Sequence, residues 1–251
     1  MSYVVIIPAR LGSQRLPRKP LLDIAGKPLI QHVYERGLAC GAEDVYIATD
    51  HQEIADVAHS FGAKVVMTST DHLSGTDRLA EVVNQCAFDD DQIVVNLQGD
   101  EPLMPVAPLR QVAANLALHK NASVATLCEA ITCVESLINP NIVKVVYDHE
   151  GYALYFSRAP IPWDRAEFDS LPQSLSSKIQ HFRHVGLYAY RASFLKEYSQ
   201  SASCSLEKVE ALEQLRVLWH GGRIHVAVSE TDIPPGVDTE ADLLRVRAYF
   251  V

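Results

Sequence analysis

Nothing in the 251-residue sequence approaches the roughly 18–20 consecutive apolar residues that a bilayer-crossing helix needs, so no membrane partner is expected. The first residues, Met1-Ser2-Tyr3, lack a basic leader and pass directly into Val4-Val5-Ile6-Ile7, which is read as a buried strand rather than a signal segment. Cysteine is sparse. Cys40, Cys86, Cys128, Cys133 and Cys204 are odd in number and form no C-x-x-C, which excludes a zinc finger or a disulfide framework. They are expected to be small buried hydrophobes in a reducing, cytoplasmic setting. Positive charge is also in deficit: 22 Lys and Arg against 31 Asp and Glu give a net charge of −9. That balance argues against a nucleic-acid partner, and any anion site must be a local concentration of cations. The phosphate loop G-x-x-x-x-G-K-[ST] and the dinucleotide fingerprint G-x-G-x-x-G are both missing. Repeats, low-complexity tracts and linkers are missing too.

What is present is a rhythm. Short apolar runs (Val4–Ile7, Val45–Ala48, Lys64–Met67, Ile93–Leu97, Val124–Leu127, Val143–Tyr147) alternate with amphipathic stretches (Leu29–Cys40, Gln52–Phe61, Thr76–Cys86, Pro108–Leu118). Nearly continuous apolar strands separated by helices predict an α/β fold, with a mostly parallel, Rossmann-like sheet covered on both faces. Later the rhythm loosens. Asp148-His149-Glu150-Gly151 predicts a hairpin turn, followed by an irregular excursion and a strand at His184–Tyr190. A long helix around Leu206–Trp219, a strand at Ile224–Val228 and a terminal helix at Glu240–Tyr249 complete the pattern. Residues 1–251 are therefore read as one domain, with a smaller β-containing elaboration at about 130–190 that is a candidate oligomer surface.

The segment Pro8-Ala9-Arg10-Leu11-Gly12-Ser13-Gln14-Arg15-Leu16-Pro17-Arg18-Lys19-Pro20 carries four cations in an acidic protein. It follows the first strand, where open α/β sheets place their ligand crevice. Forked Arg donors and a compact Lys charge suit a polyphosphate, and two prolines stiffen the loop that holds them. A merely solvated basic loop is the plainer alternative, and position and rigidity disfavour it. Asn96-Leu97-Gln98-Gly99-Asp100-Glu101-Pro102 ends the fourth strand, bringing Asp100 to the same edge. A carboxylate beside a polyphosphate implies a bridging cation such as Mg2+. Asp238, in Pro234-Pro235-Gly236-Val237-Asp238-Thr239, reads first as a helix N-cap, and Glu101 as a turn or cap residue. In Ser74-Gly75-Thr76-Asp77-Arg78, capping accounts for Ser74, Thr76 and Asp77. An Arg at the positive end of a helix dipole is misplaced, which points Arg78 toward a ligand.

Taken with His184-Val185-Gly186-Leu187-Tyr188-Ala189-Tyr190-Arg191, these ordered motifs resemble the 3-deoxy-manno-octulosonate (KDO) cytidylyltransferases, or CMP-KDO synthetases. The resemblance runs from residue 3 to about 245. It implies an enzyme that converts CTP and KDO to CMP-KDO and pyrophosphate with Mg2+, usually as a cytoplasmic homodimer in lipopolysaccharide synthesis. Carried onto this sequence, it places Pro8, Ala9, Arg10, Ser13, Arg15 and Lys19 on the nucleotide, its phosphates above all. It gives cytidine contacts to Ser74, Thr76 and Arg78, and counts Gln98 among both the nucleotide and the sugar contacts, facing the sugar. Asp100 and Asp238 would bind Mg2+, and Arg158, His184, Tyr188, Glu213 and Gln214 would form the sugar pocket. Arg10, Lys19, Asp100 and Asp238 would carry catalysis, with His184 as a fallback base. A CMP-sialate or other sugar nucleotidyltransferase, and a non-catalytic nucleotide-binding module, are the competing expectations.

Overall fold

The structure is a computed structural model that describes residues 2–12, 15–72 and 74–250. In chain order the elements begin with β1 (Tyr3–Ala9), a 3-10 turn (Lys19–Leu21), β2 (Asp23–Ile24), β3 (Lys27–Pro28), α1 (Leu29–Ala39), β4 (Asp44–Thr49) and α2 (Gln52–Ser60). Next come β5 (Lys64–Met67), α3 (Gly75–Gln85), β6 (Ile93–Asn96), α4 (Val106–Leu118), β7 (Val124–Ala130) and α5 (Val134–Ile138). The remainder is β8 (Lys144–Tyr147), β9 (Ala153–Ser157), β10 (Phe182–Arg191), α6 (Ala192–Tyr198), α7 (Ser205–Glu210), α8 (Gln214–Trp219), β11 (Ile224–Val228) and α9 (Glu240–Tyr249).

Among the described residues, nine strands form one sheet in the order β11-β7-β10-β6-β1-β4-β5, with the β8–β9 hairpin hung from β10. β1 pairs in parallel with both β4 and β6, and β10 alone runs antiparallel between β6 and β7. Alternation along β1 explains the layering. Val5 and Ile7 face a core built with residues of α1, α4 and α9, whereas Val4 and Ile6 face one built with α3, α6 and α8. Both faces are covered, so the central strand is apolar throughout.

The expected strands and hairpin are present at nearly the expected bounds, and Lys64–Met67, Ile224–Val228 and Glu240–Tyr249 coincide with β5, β11 and α9. One expected element is corrected. The helix anticipated over Leu206–Trp219 is two short helices, α7 and α8, separated at Ala211, which sits at φ 50 in the left-handed region. No described helix is long and apolar enough to cross a membrane.

Candidate active site

The C-terminal ends of β1, β5 and β6 open onto a cavity of about 610 Å3. Its floor is the first loop: Pro8, Ala9, Arg10, Gly12, Arg15 and Lys19 all line it. Three of the four cations in that loop therefore face the cavity. Arg18, at φ 58, turns away to an ion pair with Glu53 of α2. Ser13 lies outside the described residues. Backbone closeness draws the loop against β6: a Cβ on Gly99 would stand 2.6 Å from the Pro8 carbonyl oxygen, a contact only glycine avoids.

Lys19 organises one end. Its Nζ donates to Asp100 Oδ2 at 2.6 Å, to the Val237 carbonyl at 2.9 Å and to Asp238 Oδ1 at 3.2 Å. Arg15 reaches Asp238 from the open side at 3.4 Å. The 235–238 segment is tied to β6 by the Val237 N–H donating to the Asp100 carbonyl at 2.8 Å. Asp238 is not the cap of α9. Thr239 is, in a capping box with Asp242, so the Asp238 carboxylate is left to the cavity. Glu101 differs from a plain turn residue: its Oε2 is buried without a hydrogen-bond partner, and burial, then the charge of Asp100, lifts its carboxyl to about 8.

The fit to a divalent cation rests on this geometry. Two carboxylates converge on one cationic centre, and Mg2+ typically takes one or two carboxylates and fills its octahedron with water and phosphate oxygens. Among the described residues no group of three or more His, Cys, Asp or Glu converges, so a cage made wholly of protein is not on offer.

A second cavity, of about 350 Å3, adjoins the first and shares Gly75, Gln98 and Glu213 with it. β10 supplies one wall. Its alternation turns His184, Gly186, Tyr188 and Tyr190 inward, and two extra residues in the bulge against β7 preserve that parity. Gln214, at the start of α8, and Tyr198 and Asn96 add polar groups. Asn96 Oδ1, Tyr198 Oη and Gln214 Nε2 are all buried without a hydrogen-bond partner. A buried polar atom left unpaired is costly, so three facing one cavity mark it as built for a polyhydroxylated ligand.

His184 does not suit the role of a base. Burial pulls its pKa down to about 3. The Thr126 hydroxyl donates to the carbonyl of Val185 or Leu187 and has a lone pair for His184 Nε2 at 3.0 Å, which fixes the ring. Glu213 is exposed as a residue, but its carboxylate end is desolvated against α3, which raises its pKa. Hydrogen bonds from Thr76, at 3.0 Å, and Ser74 only partly offset that rise.

Most of the residues implied by the resemblance are brought together, with three changes. Arg158 lines neither cavity. Its guanidinium is spent on the carbonyls of Glu210 at 2.6 Å, Pro140 at 2.8 Å and Ala211 at 3.3 Å. Thr76 lies on the smaller cavity, not with Ser74 and Arg78 in the larger. Arg78 does line the larger cavity, but Asp50 at 2.7 Å and Thr68 already compensate its charge, which explains a cation at that helix start. Sequence reasoning missed Asn96, Tyr190, Tyr198 and His72. An Asn closing an otherwise apolar strand was the one available signal. The tyrosines look like core residues until the sheet order is known.

The chain matches the family model described as "Cytidylyltransferase" over residues 4–224. It is 57% identical over its full length to the whole of a 3-deoxy-manno-octulosonate cytidylyltransferase from Coxiella burnetii. It is 56% identical to that of Nitrosococcus oceani, with 100% of this chain and 97% of the relative covered. A solved CMP:2-keto-3-deoxy-manno-octonic acid synthetase complexed with CTP superposes with a TM-score of 0.89 at 44% identity, covering 100% of this chain and 98% of that one. A nucleotidyl transferase from Methanothermobacter, at 18% identity and TM-score 0.61, shares the fold.

Proposed function

The chain belongs to the cytidylyltransferase family, and we propose that it transfers CMP from CTP to the anomeric hydroxyl of 3-deoxy-manno-octulosonate, releasing pyrophosphate. The observation that carries the reading is the pair of joined cavities. One is floored by cations and the other lined by hydroxyls, amides and a carboxylate, and Gln98 belongs to both. A nucleoside triphosphate in the first and a sugar acid in the second would meet at that shared wall.

The sugar hydroxyl attacks the α-phosphorus, the bond to the β-phosphate bridging oxygen breaks, and pyrophosphate leaves. Charge builds on phosphate oxygens, so positioning and electrostatics dominate the catalysis. Lys19 and Arg10 neutralise that charge, and Arg15 closes the open side. Ser74 and Arg78 wall the nucleotide. Gln98 orients the acceptor, while Tyr188, Gln214 and Glu213 satisfy its hydroxyls. Asp100 and Asp238 would hold Mg2+, which supplies Lewis-acid polarisation of the phosphate and of the attacking hydroxyl when bound. Burial leaves His184 too weak a base to take the hydroxyl proton, which passes to the departing pyrophosphate.

We assign the setting on the same footing: a cytoplasmic homodimer serving lipopolysaccharide synthesis. The test is pyrophosphate release from CTP across a panel of acidic sugars, with and without chelator. Release with the eight-carbon octulosonate and not with a sialate supports the assignment. Preference for the sialate moves it to the sibling activity, and no release with any sugar leaves a binding module.

A further inference from the structure

We propose that His72 reads the nucleobase, with its imidazole, held by Glu81, offering an acceptor to the 4-amino group of cytosine and so selecting CTP over UTP. The inference rests on the assignment of CTP to the larger cavity. It adds a specificity-determining residue that the motifs around it do not identify.

His72 lies between β5 and α3, lines the larger cavity, and has a side chain only 19% exposed. Its Nε2 stands 2.5 Å from Glu81 Oε2. Glu81, on α3, is itself held: the Ser69 N–H donates to Oε2 at 2.8 Å and the Gln85 amide donates to Oε1 at 2.8 Å. Burial pushes the Glu81 carboxyl up, but the hydrogen bonds from Ser69, His72 and Gln85 outweigh it and keep the group ionised. A carboxylate has only lone pairs to give, so Nε2 is the donor. With the ring neutral Nδ1 is then the acceptor, whereas the imidazolium would donate from both nitrogens, so the selection of cytosine belongs to the neutral ring.

Position favours the base over the phosphates. Asp100 and Lys19 lie beyond β6, while the His72 segment leaves β5, three strands away in the order β6-β1-β4-β5. By Gly75 the segment has crossed to Pro8 of β1, which leaves His72 on the β5 side of the cavity, away from Asp100 and Lys19. The phosphates have Arg10, Arg15 and Lys19 at their own end. Arg78, the neighbour of His72 on the cavity wall, is committed to Asp50 and Thr68 and offers only donors. Cytosine differs from uracil by presenting a donor at position 4 where uracil presents an oxygen. An acceptor fixed in that wall pairs with the first and confronts the second with opposed lone pairs. Sites built to hydrogen-bond a group discriminate strongly against analogues lacking it.

The test compares kcat/KM for CTP and UTP, with the octulosonate as acceptor, in wild type, His72→Leu, His72→Asn and Glu81→Gln. His72→Leu is expected to shrink the CTP:UTP ratio by about 10-fold or more, the loss of one directed hydrogen bond. His72→Asn, whose amide oxygen replaces the acceptor, retains part of the ratio, and Glu81→Gln falls between wild type and His72→Leu. A folded His72→Leu with the wild-type ratio overturns the proposal. So does a parallel fall for both nucleotides, which would place His72 on the phosphates or ribose. If His72→Leu does not fold, His72→Asn and Glu81→Gln carry the same comparison, and wild-type ratios in both overturn it. A wild-type enzyme that makes no pyrophosphate from CTP overturns the assignment of function, a failure separate from either of these.

Discussion

Lys19 gathers three acceptors on one ammonium, and its side chain is only 15% exposed. Lys19→Met keeps the length of the stem and deletes the charge. We expect a folded protein whose turnover falls by about two to three orders of magnitude, the usual loss for one transition-state contact. Near-wild-type turnover at an unchanged Tm would remove the phosphate role. Asp238 makes the complementary case. Since Thr239 caps α9, Asp238→Asn should leave the Tm within about a degree, yet shift the Mg2+ dependence of the initial rate to higher concentration. The double mutant with Asp100→Asn should be strongly non-additive, because the two side chains share one centre. At this scale the sequence was legible where a residue's chemistry was unusual for its place, as with Lys19 and Asp100, while Gln98 came only through the resemblance. It was illegible where the partner came from far along the chain: Asp50 neutralises Arg78, and Glu210 and its neighbours consume Arg158. No local pattern announces those pairings.

Elements set how rigidly those residues are held. The 235–238 segment lies so close to the end of β6 that a Cβ on Gly236 would stand 3.0 Å from the Asp100 carbonyl oxygen and 3.5 Å from Glu101 Cγ. Gly236→Ala should therefore displace Asp238 by a few tenths of an ångström. We expect kcat to fall about 10-fold or more with little change in Tm, since misplacement is felt in the reaction before it is felt in the fold. Thr239→Ala should do the reverse. Losing the cap costs about 1 kcal/mol in a urea titration and leaves the turnover of folded enzyme intact. Equal effects of the two substitutions on stability and rate would refute this division. The strands and helices of the α/β core were readable because periodicity and burial agree there. The break between α7 and α8 was not: a left-handed alanine at 211 carries no signature, and it is tertiary packing of Leu212 and Leu215 into the core that holds it.

For the molecule as a whole, the buried titrating groups predict where stability peaks. His225, mainly by desolvation and then by stacked His119, is pulled from 6.5 to about 4, and desolvation alone pulls His184 to about 3. As pH falls below 6.5 the unfolded chain takes up protons on both histidines before the native state does, so unfolding is favoured by acid. Glu101 acts in the opposite direction. With a native pKa of about 8 against 4.5, it holds a proton through that window while the unfolded chain has released it, so its contribution is lost as pH rises. Between pH 6.5 and 8 neither histidine contributes, and Glu101 should lower stability by about 1.4 kcal/mol per pH unit. Between 4.5 and 6.5, two protons taken up less one released leaves one, with a similar slope of opposite sign. His184 faces a cavity, which lessens its share, and Glu213, whose carboxyl is also raised, adds to the loss of stability with rising pH. The maximum should therefore fall near pH 6.5, measured by urea denaturation without metal ion. Glu101→Gln should flatten the alkaline limb and steepen the acid one to about 2.7 kcal/mol per pH unit, since no proton then offsets the two histidines, whereas His225→Asn should flatten the acid limb and leave the alkaline one in place. An alkaline decline that persists unchanged in Glu101→Gln would show that this carboxyl is ionised in the native state and that its buried oxygen has a partner after all.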